Sequence, residues 1–352
     1  MNLKSENTQL VSSFAKKTMV AVILAVSVII TQTGCGNKEV SRTEFCLDTM
    51  CTITVYGMPE DEAEDIIEAA FDQIERYEGL MSRTIEGSDV YNINNSGGRP
   101  VKVSDDTAEV ISQGIYMGEI SGGKFDITIG GVTELWDFTG EDPAVPDSSA
   151  VSEAVKHVDY SKLDLDGNTV TLQDPEARID LGGIAKGYIA DKISKLLSER
   201  GVESAIVNLG GNIVAIGEKP DGSMWNIGIE RPYSDTTEVI GSVEVRDATL
   251  VTSGIYERKF VQDGVLYHHV LDPDTGYPAE TDLESVTITA ENGNSALCDG
   301  LSTVCLILGS ENAQKLIDDL QEQYRDEMLE AAFIDKNNNI VQTDGMKIKL
   351  AE

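Results

Sequence analysis

The sequence predicts an α+β fold in which mixed or antiparallel sheets pack against helices. Amphipathic helical segments and short strands both occur along the chain, but they do not alternate strictly as in a parallel βαβ fold. The second half consists mostly of short strands separated by turn residues, which favours antiparallel pairing. With 352 residues, 41% of them hydrophobic, the chain is long enough for one large domain or two closely packed subdomains.

The first half is predicted to contain three helices between irregular segments. In the segment 60–80 apolar residues recur every three or four positions, which is the pattern of an amphipathic helix. Gly122-Gly123 is a plausible C-cap for the second helix. The predicted elements are, in order, extended chain (44–56), a helix (60–80), a loop rich in Ser, Asn and Gly (81–100), a helix (107–121), a surface excursion (140–149) and a short helix (149–157).

The second half is predicted to be richer in strands. Asp263-Gly264 is a turn dipeptide of the hairpin type, so the strands on either side of it are expected to pair. The predicted elements are, in order, a strand (177–181), a helix (184–200), strands (205–208, 213–217, 225–230, 239–245, 250–253, 256–262, 265–271 and 286–290), two helices (295–308 and 311–327) and a terminal hairpin (332–349).

The N-terminus has the parts of a secretory signal. Lys16 and Lys17 precede an apolar run from Met19 to Ile30, which is too short to span a bilayer as a helix. Gly34-Cys35 follows and resembles a lipobox, the site at which bacterial lipoproteins are cut and acylated. Gln32 stands where an aliphatic residue is usual, so an ordinary signal peptide with a chance Gly-Cys is the alternative.

This N-terminus predicts a location. We expect residues 1–34 to be removed as a signal peptide and Cys35 to carry the lipid. Residues 35–43 would then be a polar tether, and residues 44–352 would form the folded domain. The protein would lie on the extracytoplasmic face of the cell membrane, held there by its lipid.

The chain is strongly acidic, with a formal net charge of −34 that becomes −36 without residues 1–34. This charge argues against nucleic acid as a partner, because binding to nucleic acid depends on lysine and arginine that neutralise phosphates. A negatively charged ligand would therefore need a metal ion or a few well-placed cations.

The segment 180–186, which we call the glycine corner, is the first candidate site. Gly182 and Gly183 stand between a predicted strand and a predicted helix, where a ligand can approach the backbone and free N–H groups favour an anion. Asp180 and Lys186 flank the glycines with a carboxylate and a cation. The spacing is neither that of a P-loop nor that of a Rossmann fingerprint. A tight turn beside a solvated lysine is the alternative.

Two adjacent histidines form the second candidate. His268 and His269 lie near the end of a predicted strand, so their side chains should point to opposite faces. The one that faces a cleft could transfer a proton at neutral pH or contact phosphate. A purely structural histidine is the alternative.

The third candidate is Asp299 with Thr303, one turn apart on a predicted helix, and Ser302 beside them. Carboxylate and hydroxyl oxygens are ligands that Mg²⁺ accepts, with phosphate and water completing its coordination. The alternative is a capping aspartate followed by an ordinary threonine on the helix face.

The cysteines after Cys35 predict little chemistry. Cys46 and Cys51 are about 16 Å apart along extended chain, so they could form a disulfide only if the chain turns between them. Cys298 and Cys305 share a helix face and are expected in the core. The spacing of the cysteines matches no zinc site.

Taken together, these segments resemble the signature segments of the bacterial FAD:protein FMN transferases, the ApbE family. The resemblance covers about residues 44–349, nearly the whole chain after the signal. The segments occur in the same order as in the family: Thr49-Met50, Met81-Ser82-Arg83, Gly122 to Gly130, Arg178 to Asp191, Val207 to Gly211, Thr252-Ser253-Gly254, Leu266 to Pro278 and Asp299 to Gly309. The resemblance implies the family's T-fold-like α+β architecture.

The resemblance also implies roles for particular residues. A metal ion, Mg²⁺ in the family, would be held by the backbone carbonyl of Gly183, the Asp299 carboxylate and the Thr303 hydroxyl. His269, rather than His268, corresponds to the proposed catalytic base. The residues expected to bind FAD are Met50, Lys124, Phe125, Asp126, Asp180, Lys186 and Leu271.

The implied reaction is transfer of the FMN half of FAD to a Ser or Thr hydroxyl of an acceptor protein, such as a membrane redox protein, with release of AMP. One alternative is a flavin-binding or solute-binding lipoprotein without catalysis, and another is an FAD pyrophosphatase that uses water. A third is a flavoprotein that carries covalent FMN itself. The sequence contains no Asp-x-x-Ser/Thr-Gly-Ala-Ser/Thr stretch of the kind that such acceptors carry.

Overall fold

The computed structural model describes residues 39–140, 142–234, 238–325 and 328–351. The predicted signal peptide, Cys35 and the first residues of the predicted tether lie outside the described residues. Within the described ranges, no helix is both long and apolar enough to cross a lipid bilayer.

The described residues form helices and strands in mixed order. The helices are α1 (Glu60–Met81), α2 (Asp89–Asn94), α3 (Asp105–Ile120), α4 (Gly130–Trp136), α5 (Ser148–Val155), α6 (Ala185–Glu199) and α7 (Ser295–Gln323). The strands are β1 (Glu39–Cys46), β2 (Thr49–Tyr56), β3 (Val101–Lys102), β4 (Leu163–Asp166), β5 (Thr169–Leu172), β6 (Ser204–Leu209), β7 (Asn212–Gly217), β8 (Trp225–Glu230), β9 (Val239–Val245), β10 (Ala248–Gly254), β11 (Lys259–Gln262), β12 (Val265–His268), β13 (Leu283–Glu291), β14 (Glu330–Asp335), β15 (Ile340–Gln342) and β16 (Ile348–Leu350).

An eight-stranded sheet forms the centre of the fold. Its strand order is β1-β2-β6-β7-β10-β13-β14-β15, and every neighbouring pair is antiparallel. Smaller sheets are formed by β16-β9-β8, β3-β5-β4 and β11-β12. The predicted α+β class with antiparallel pairing is confirmed.

Both faces of the central sheet are covered. In β7, Val214 and Ile216 belong to the main core, which includes the buried faces of α1, α6 and α7. Ala215, between them, belongs to a second core that includes Trp225 and Val243 from the β16-β9-β8 sheet. Since successive side chains of a strand point to opposite faces, helices cover one face and a second sheet covers the other.

Helices α6 and α7 touch backbone to backbone. A Cβ atom added to Gly187 would lie 2.3 Å from the carbonyl oxygen of Ser295, so no side chain fits between the helices at this point. Two N–H groups at the start of α7 donate to one carboxylate on α6: Ser295 N to Asp191 Oδ1 at 2.8 Å and Ala296 N to Asp191 Oδ2 at 3.0 Å. The two helices are therefore held at a fixed separation.

The predicted strand at 177–181 is wrong. Among its residues only Arg178 forms a bridge, an isolated one to Ile129. The Asn94 side chain takes the place of a partner strand, because its Oδ1 accepts from Ile179 N at 2.6 Å and its Nδ2 donates to Ile179 O at 2.9 Å. A side chain distant in sequence thus satisfies the backbone groups that a ladder would have paired.

The segment 81–100, predicted to be a loop because it is rich in Ser, Asn and Gly, contains a short helix. Ser88 is the N-cap of α2, and its hydroxyl accepts from Tyr91 N at 2.9 Å. Val90 and Ile93 are buried on the inner side of this helix. Serine and asparagine favour loops, but here one serine caps the helix and Asn94 is needed at its end.

The predicted tether is too long at its C-terminal end, since β1 begins at Glu39. All of residues 39–43 except Val40 are polar, which suits an edge strand. The threonine and serine side chains of β1 bond across to β2, as in Thr43 to Thr52 at 2.9 Å. The chain turns between β1 and β2 at Leu47 and Asp48, both with positive φ. Cys46 and Cys51 therefore come onto neighbouring strands, and both are free thiols.

The two helices predicted after residue 295 are confirmed as the two halves of α7. Gly309 separates them, with φ 72° and ψ 170°, a conformation that suits glycine. Asp282 caps the second half, since its Oδ1 accepts from Ser310 N at 2.9 Å. Cys298 and Cys305 are fully buried in the first half, as predicted.

Candidate active site

A cleft of about 1140 Å³ opens between the central sheet, the glycine corner and helix α7. It is larger than the roughly 300–1,000 Å³ typical of sites for drug-sized ligands, so it can hold a dinucleotide. All eleven predicted site residues within the described chain line this one cleft: Met50, Lys124, Phe125, Asp126, Asp180, Gly183, Lys186, His269, Leu271, Asp299 and Thr303.

The glycine corner is fixed by hydrogen bonds on both sides. Asp180 Oδ1 accepts from Gly182 N at 2.8 Å, and Asp180 Oδ2 lies 3.3 Å from Arg83 Nε. Leu181 O accepts from the N–H groups of Ile184 at 3.0 Å and Ala185 at 2.8 Å, which begins the first turn of α6. The corner therefore holds the start of α6, with Lys186 in its first turn, against the cleft.

Asp299 is a buried carboxylate that faces this corner. It is 2% exposed; its Oδ2 accepts from Gly187 N at 2.9 Å and its Oδ1 from Asn212 Nδ2 at 3.3 Å. Burial raises the pKa of Asp299, while the positive charge of Lys186 acts in the opposite direction. A buried carboxylate that has two hydrogen bonds but no ion pair would be stabilised in its charged form by a bound cation.

Thr303 brings its hydroxyl close to Gly183, one helical turn from the Asp299 carboxylate. A Cβ added to Gly183 would lie 3.9 Å from Thr303 Oγ1 and 3.0 Å from the Phe125 ring. The glycine corner and the Asp299–Thr303 face of α7, distant in sequence, thus meet on the same side of the molecule.

This donor set fits Mg²⁺. No cluster of three or more His, Cys, Asp or Glu suited to a metal occurs among the described residues. Mg²⁺ does not require one, because it is commonly bound by one or two carboxylates with water and substrate phosphates. The buried Oδ1 of Asn212, whose amide donates to Asp299, also has no hydrogen-bond partner among the described residues.

The two lysines of the cleft differ in their partners. Lys124 Nζ lies 3.1 Å from both carboxylate oxygens of Asp272 and 2.7 Å from Asp274 Oδ2. Lys186 forms no ion pair within 4.0 Å with any residue that the structure describes. Lys186 is therefore the cation whose charge is available to a ligand.

Asp126 lines the cleft, but its oxygen atoms already accept hydrogen bonds. Oδ1 accepts from Thr128 N at 2.7 Å and Thr128 Oγ1 at 2.6 Å, and Oδ2 accepts from Tyr160 N at 2.8 Å. Burial nevertheless raises its pKa. Its clearest role in this geometry is to hold the wall of the cleft next to Phe125.

His269 faces the cleft and His268 does not. His269 N donates to Arg258 O at 3.1 Å, whereas the His269 Nδ1 atom is buried without a hydrogen-bond partner among the described residues. Burial, together with the positive charges of Arg258 and Lys186, lowers the pKa of His269 to about 3. The imidazole is therefore neutral at physiological pH and has an unused nitrogen.

Several residues that line the cleft were not among the predicted site residues. Glu257 and Arg258 lie outside the signature segments, and Arg83 stands in the Met81-Ser82-Arg83 segment without a predicted role. The Glu257 carboxylate accepts from Gly254 N at 3.0 Å. Arg258 forms no ion pair with the described residues, so it is a second available cation. Arg258 lies eleven positions before His269, and only the hairpin between them brings the two together, a pairing that the Asp263-Gly264 turn could have indicated.

The chain is similar to known proteins of one family. The model of the ApbE family matches residues 47–326. A protein of Treponema pallidum named FAD:protein FMN transferase is 36% identical over 305 residues, which cover 81% of this chain and 84% of the relative. A protein of Klebsiella pneumoniae with the same name is 33% identical over 318 residues, 90% of this chain and 95% of the relative.

Solved structures with similar folds carry the ApbE name. The crystal structure of the ApbE protein from Thermotoga maritima has a TM-score of 0.79 and 33% sequence identity, and the match covers 87% of this chain and 97% of that chain. The flavin transferase ApbE from Vibrio cholerae has a TM-score of 0.76 and 26% identity, with the same coverage.

Proposed function

The chain belongs to the ApbE family, and from this membership we propose that it transfers the FMN half of FAD to a Ser or Thr hydroxyl of an acceptor protein and releases AMP. The observation that carries the proposal is the meeting of Gly183, Lys186, Asp299 and Thr303 with His269 in one dinucleotide-sized cleft. The two relatives described above are both named FAD:protein FMN transferase.

Lys186 supports binding of the FAD diphosphate. The chain carries a net charge of −34, so an anionic ligand needs local positive charge. Lys186 and Arg258 line the cleft without ion pairs to described residues, so their charge can be directed to phosphate oxygens. Met50, Phe125 and Leu271 offer apolar contacts for the rings of the dinucleotide.

Gly183, Asp299 and Thr303 are the residues that would hold Mg²⁺. Bound there, the ion would neutralise negative charge on the transferring phosphate group and on the leaving AMP, the main electrostatic demand of phosphoryl transfer. Gly187 and Asn212 orient the Asp299 carboxylate through their hydrogen bonds.

His269 is suited to accept the proton of the attacking hydroxyl. As the acceptor oxygen bonds to the FMN phosphorus, the diphosphate bond to AMP breaks and the hydroxyl proton must leave. A neutral imidazole with an unpartnered nitrogen has a free position for that proton. General-base catalysis is worth on the order of 10²–10⁴ in rate when the pKa of the base lies near the working pH. A protein that only bound flavin would have no need of this base.

The N-terminal sequence supports a location for the reaction. A signal that ends in Gly34-Cys35 would place the enzyme on the extracytoplasmic face of the cell membrane, anchored by lipid on Cys35. The acceptor would then be a redox protein at or outside that membrane.

One incubation tests the function against its alternatives. The mature protein, FAD and Mg²⁺ are combined with a folded redox protein that carries an Asp-x-x-Thr-Gly-Ala-Thr stretch, and intact mass and AMP are measured. A mass gain of one FMN on the acceptor with release of AMP supports the transferase. Free FMN and AMP without acceptor labelling would indicate a pyrophosphatase, and FAD binding without either product would indicate a binding protein.

A further inference from the structure

Two thiols lie next to each other near the turn of the β1–β2 hairpin. In the ladder Cys46 pairs with Thr49 and Cys51 pairs with Glu44, so both cysteines point to the same face of the two strands. They are diagonal neighbours, and Cys51 Sγ lies 3.5 Å from the carbonyl oxygen of Cys46. A hydrogen bond between the two thiols raises the pKa of Cys46 and lowers that of Cys51. The hairpin therefore holds the two sulfur atoms close together.

The two cysteines differ in their access to solvent. Cys46 is partly exposed, whereas Cys51 is fully buried. An external oxidant can therefore reach Cys46 first, and Cys51 can react only with the sulfur of Cys46. The other cysteines of the described chain, Cys298 and Cys305, are buried seven positions apart on α7. That spacing is about 10 Å along a helix axis, which is too far for a disulfide.

The segment between the two thiols is a wall of the cleft. All four of its residues line the cleft: Leu47, Asp48, Thr49 and Met50. Leu47 and Asp48 have φ values of 53° and 56°, a conformation that residues other than glycine seldom adopt. Met50, one of the residues expected to contact FAD, is 57% exposed. A covalent bond across the hairpin would restrict the motion of this wall.

We propose that Cys46 and Cys51 are an oxidation site, where an intrachain disulfide forms, fixes the Leu47–Met50 wall of the cleft and tightens FAD binding. The oxidant is a reactive disulfide of the kind that thiol–disulfide oxidoreductases carry outside the cytoplasm, where the N-terminal sequence would place this protein. The effect on FAD rests on the proposed function, because it requires FAD to occupy the cleft. The formation of the disulfide does not.

The reaction is a thiol–disulfide exchange in two steps. The Cys46 thiolate attacks one sulfur of the oxidant, and the other sulfur leaves as a thiol. Cys51 then attacks the Cys46 sulfur of this mixed disulfide, which forms the Cys46–Cys51 bond and releases the second thiol. The two cysteine protons end on the released thiols, and the disulfide of the oxidant takes up both electrons.

The test uses the full chain with Cys35→Ser, in which four cysteines remain. The protein is incubated with glutathione disulfide or with dithiothreitol and is then unfolded in iodoacetamide. Intact mass and peptide mapping count and locate the thiols that escape alkylation, and flavin fluorescence measures the FAD affinity of each folded form. Cys46→Ala and Cys305→Ala are matched variants, because each removes one thiol but only the first removes a member of the pair.

We expect two of the four thiols to escape alkylation after oxidation, in a cross-linked peptide that contains Cys46 and Cys51. All four thiols should be alkylated after reduction. The oxidised form should bind FAD about three- to tenfold more tightly, because a restrained wall loses less conformational freedom on binding. Cys305→Ala should show the same disulfide and the same gain in affinity, whereas Cys46→Ala should show neither.

Two results would overturn the disulfide: four alkylated thiols after oxidation, or a glutathione adduct that persists on Cys46. A disulfide that leaves FAD affinity unchanged would overturn its effect on the cleft. If neither form binds FAD, the proposed function and the effect on FAD both fail, while the count of thiols still decides whether the disulfide forms.

Discussion

Lys124 and Lys186 line the same cleft but serve it differently. Lys124 is bound by two carboxylates of the turn that follows His269, at 3.1 Å from Asp272 and 2.7 Å from Asp274. Lys186, in the first turn of α6, has no such partner among the described residues. A lysine in a cleft can bind an anionic ligand only where no carboxylate of the fold already pairs with its charge. The anion should therefore bind near Lys186 and Asp299, and the charge of Lys124 should serve to hold the turn that follows His269.

The largest expected effect is on the Lys186 side. Asp299→Ala should abolish Mg²⁺-dependent transfer and leave the fold largely intact, since it removes the carboxylate that would hold the metal. Turnover across a Mg²⁺ titration, with circular dichroism as the folding check, measures this. Asp299→Asn, which keeps the shape and loses the charge, should be nearly as inactive. Activity with an unchanged Mg²⁺ requirement would take Asp299 out of the site.

His269 should give the next largest effect. His269→Ala should lower kcat by about 10²–10⁴ while FAD affinity changes little, because the side chain acts on the proton and not on the dinucleotide. Comparing single-turnover rates with FAD affinity tests this. Equal losses in both would make His269 a binding residue.

The pH dependence offers a second measure of the same residue in the wild type. With the pKa of His269 lowered to about 3 by burial, kcat/KM for FAD should stay flat between pH 7.5 and 5.5. An unshifted histidine, titrating near 6.5, would instead lose about tenfold by pH 5.5. An acidic limb near pH 6.5 that is absent from His269→Ala would show that the imidazole is more solvated than in this structure.

The smallest effects separate the two lysines directly. Lys186→Met should lower kcat/KM for FAD about 10–100-fold, the loss expected for one charge-assisted phosphate contact. Lys124→Met should change it less than about fivefold and lower thermal stability instead, because it leaves Asp272 and Asp274 as neighbouring unpaired carboxylates. The two variants match in size and charge. A reversal of their order would contradict the assignment of the anion to the Lys186 side.

Sequence patterns identified most of the architecture and many of the segments of the cleft, but not the one that carries Glu257 and Arg258. The periodicity of α1 and the turn dipeptide at Asp263-Gly264 are local signals, so they could be recognised without a fold. The failures involve partners distant in sequence: the amide of Asn94 replaces a strand beside Ile179, and α2 is defined by burial of Val90 and Ile93 rather than by composition.

The same limit applies within the site. The residues that bear chemistry were recognisable by type and by resemblance, but their hydrogen bonds were not. No residue near Lys124 in the sequence indicates that it forms an ion pair with Asp272, which lies 148 positions later. Likewise, Asp191 gives no sign in the sequence that it caps the helix that carries Asp299.

The contact between Gly187 and Ser295 has a consequence for anyone who would rebuild this centre elsewhere. Because main chain meets main chain there, neither helix can slide or rotate without carrying the other along. A designed protein that reuses this site would need α6 and α7 together, at the same distance from each other. That distance would have to be set before any side chain is chosen. The grafted unit is thus a pair of helices, not a set of catalytic groups.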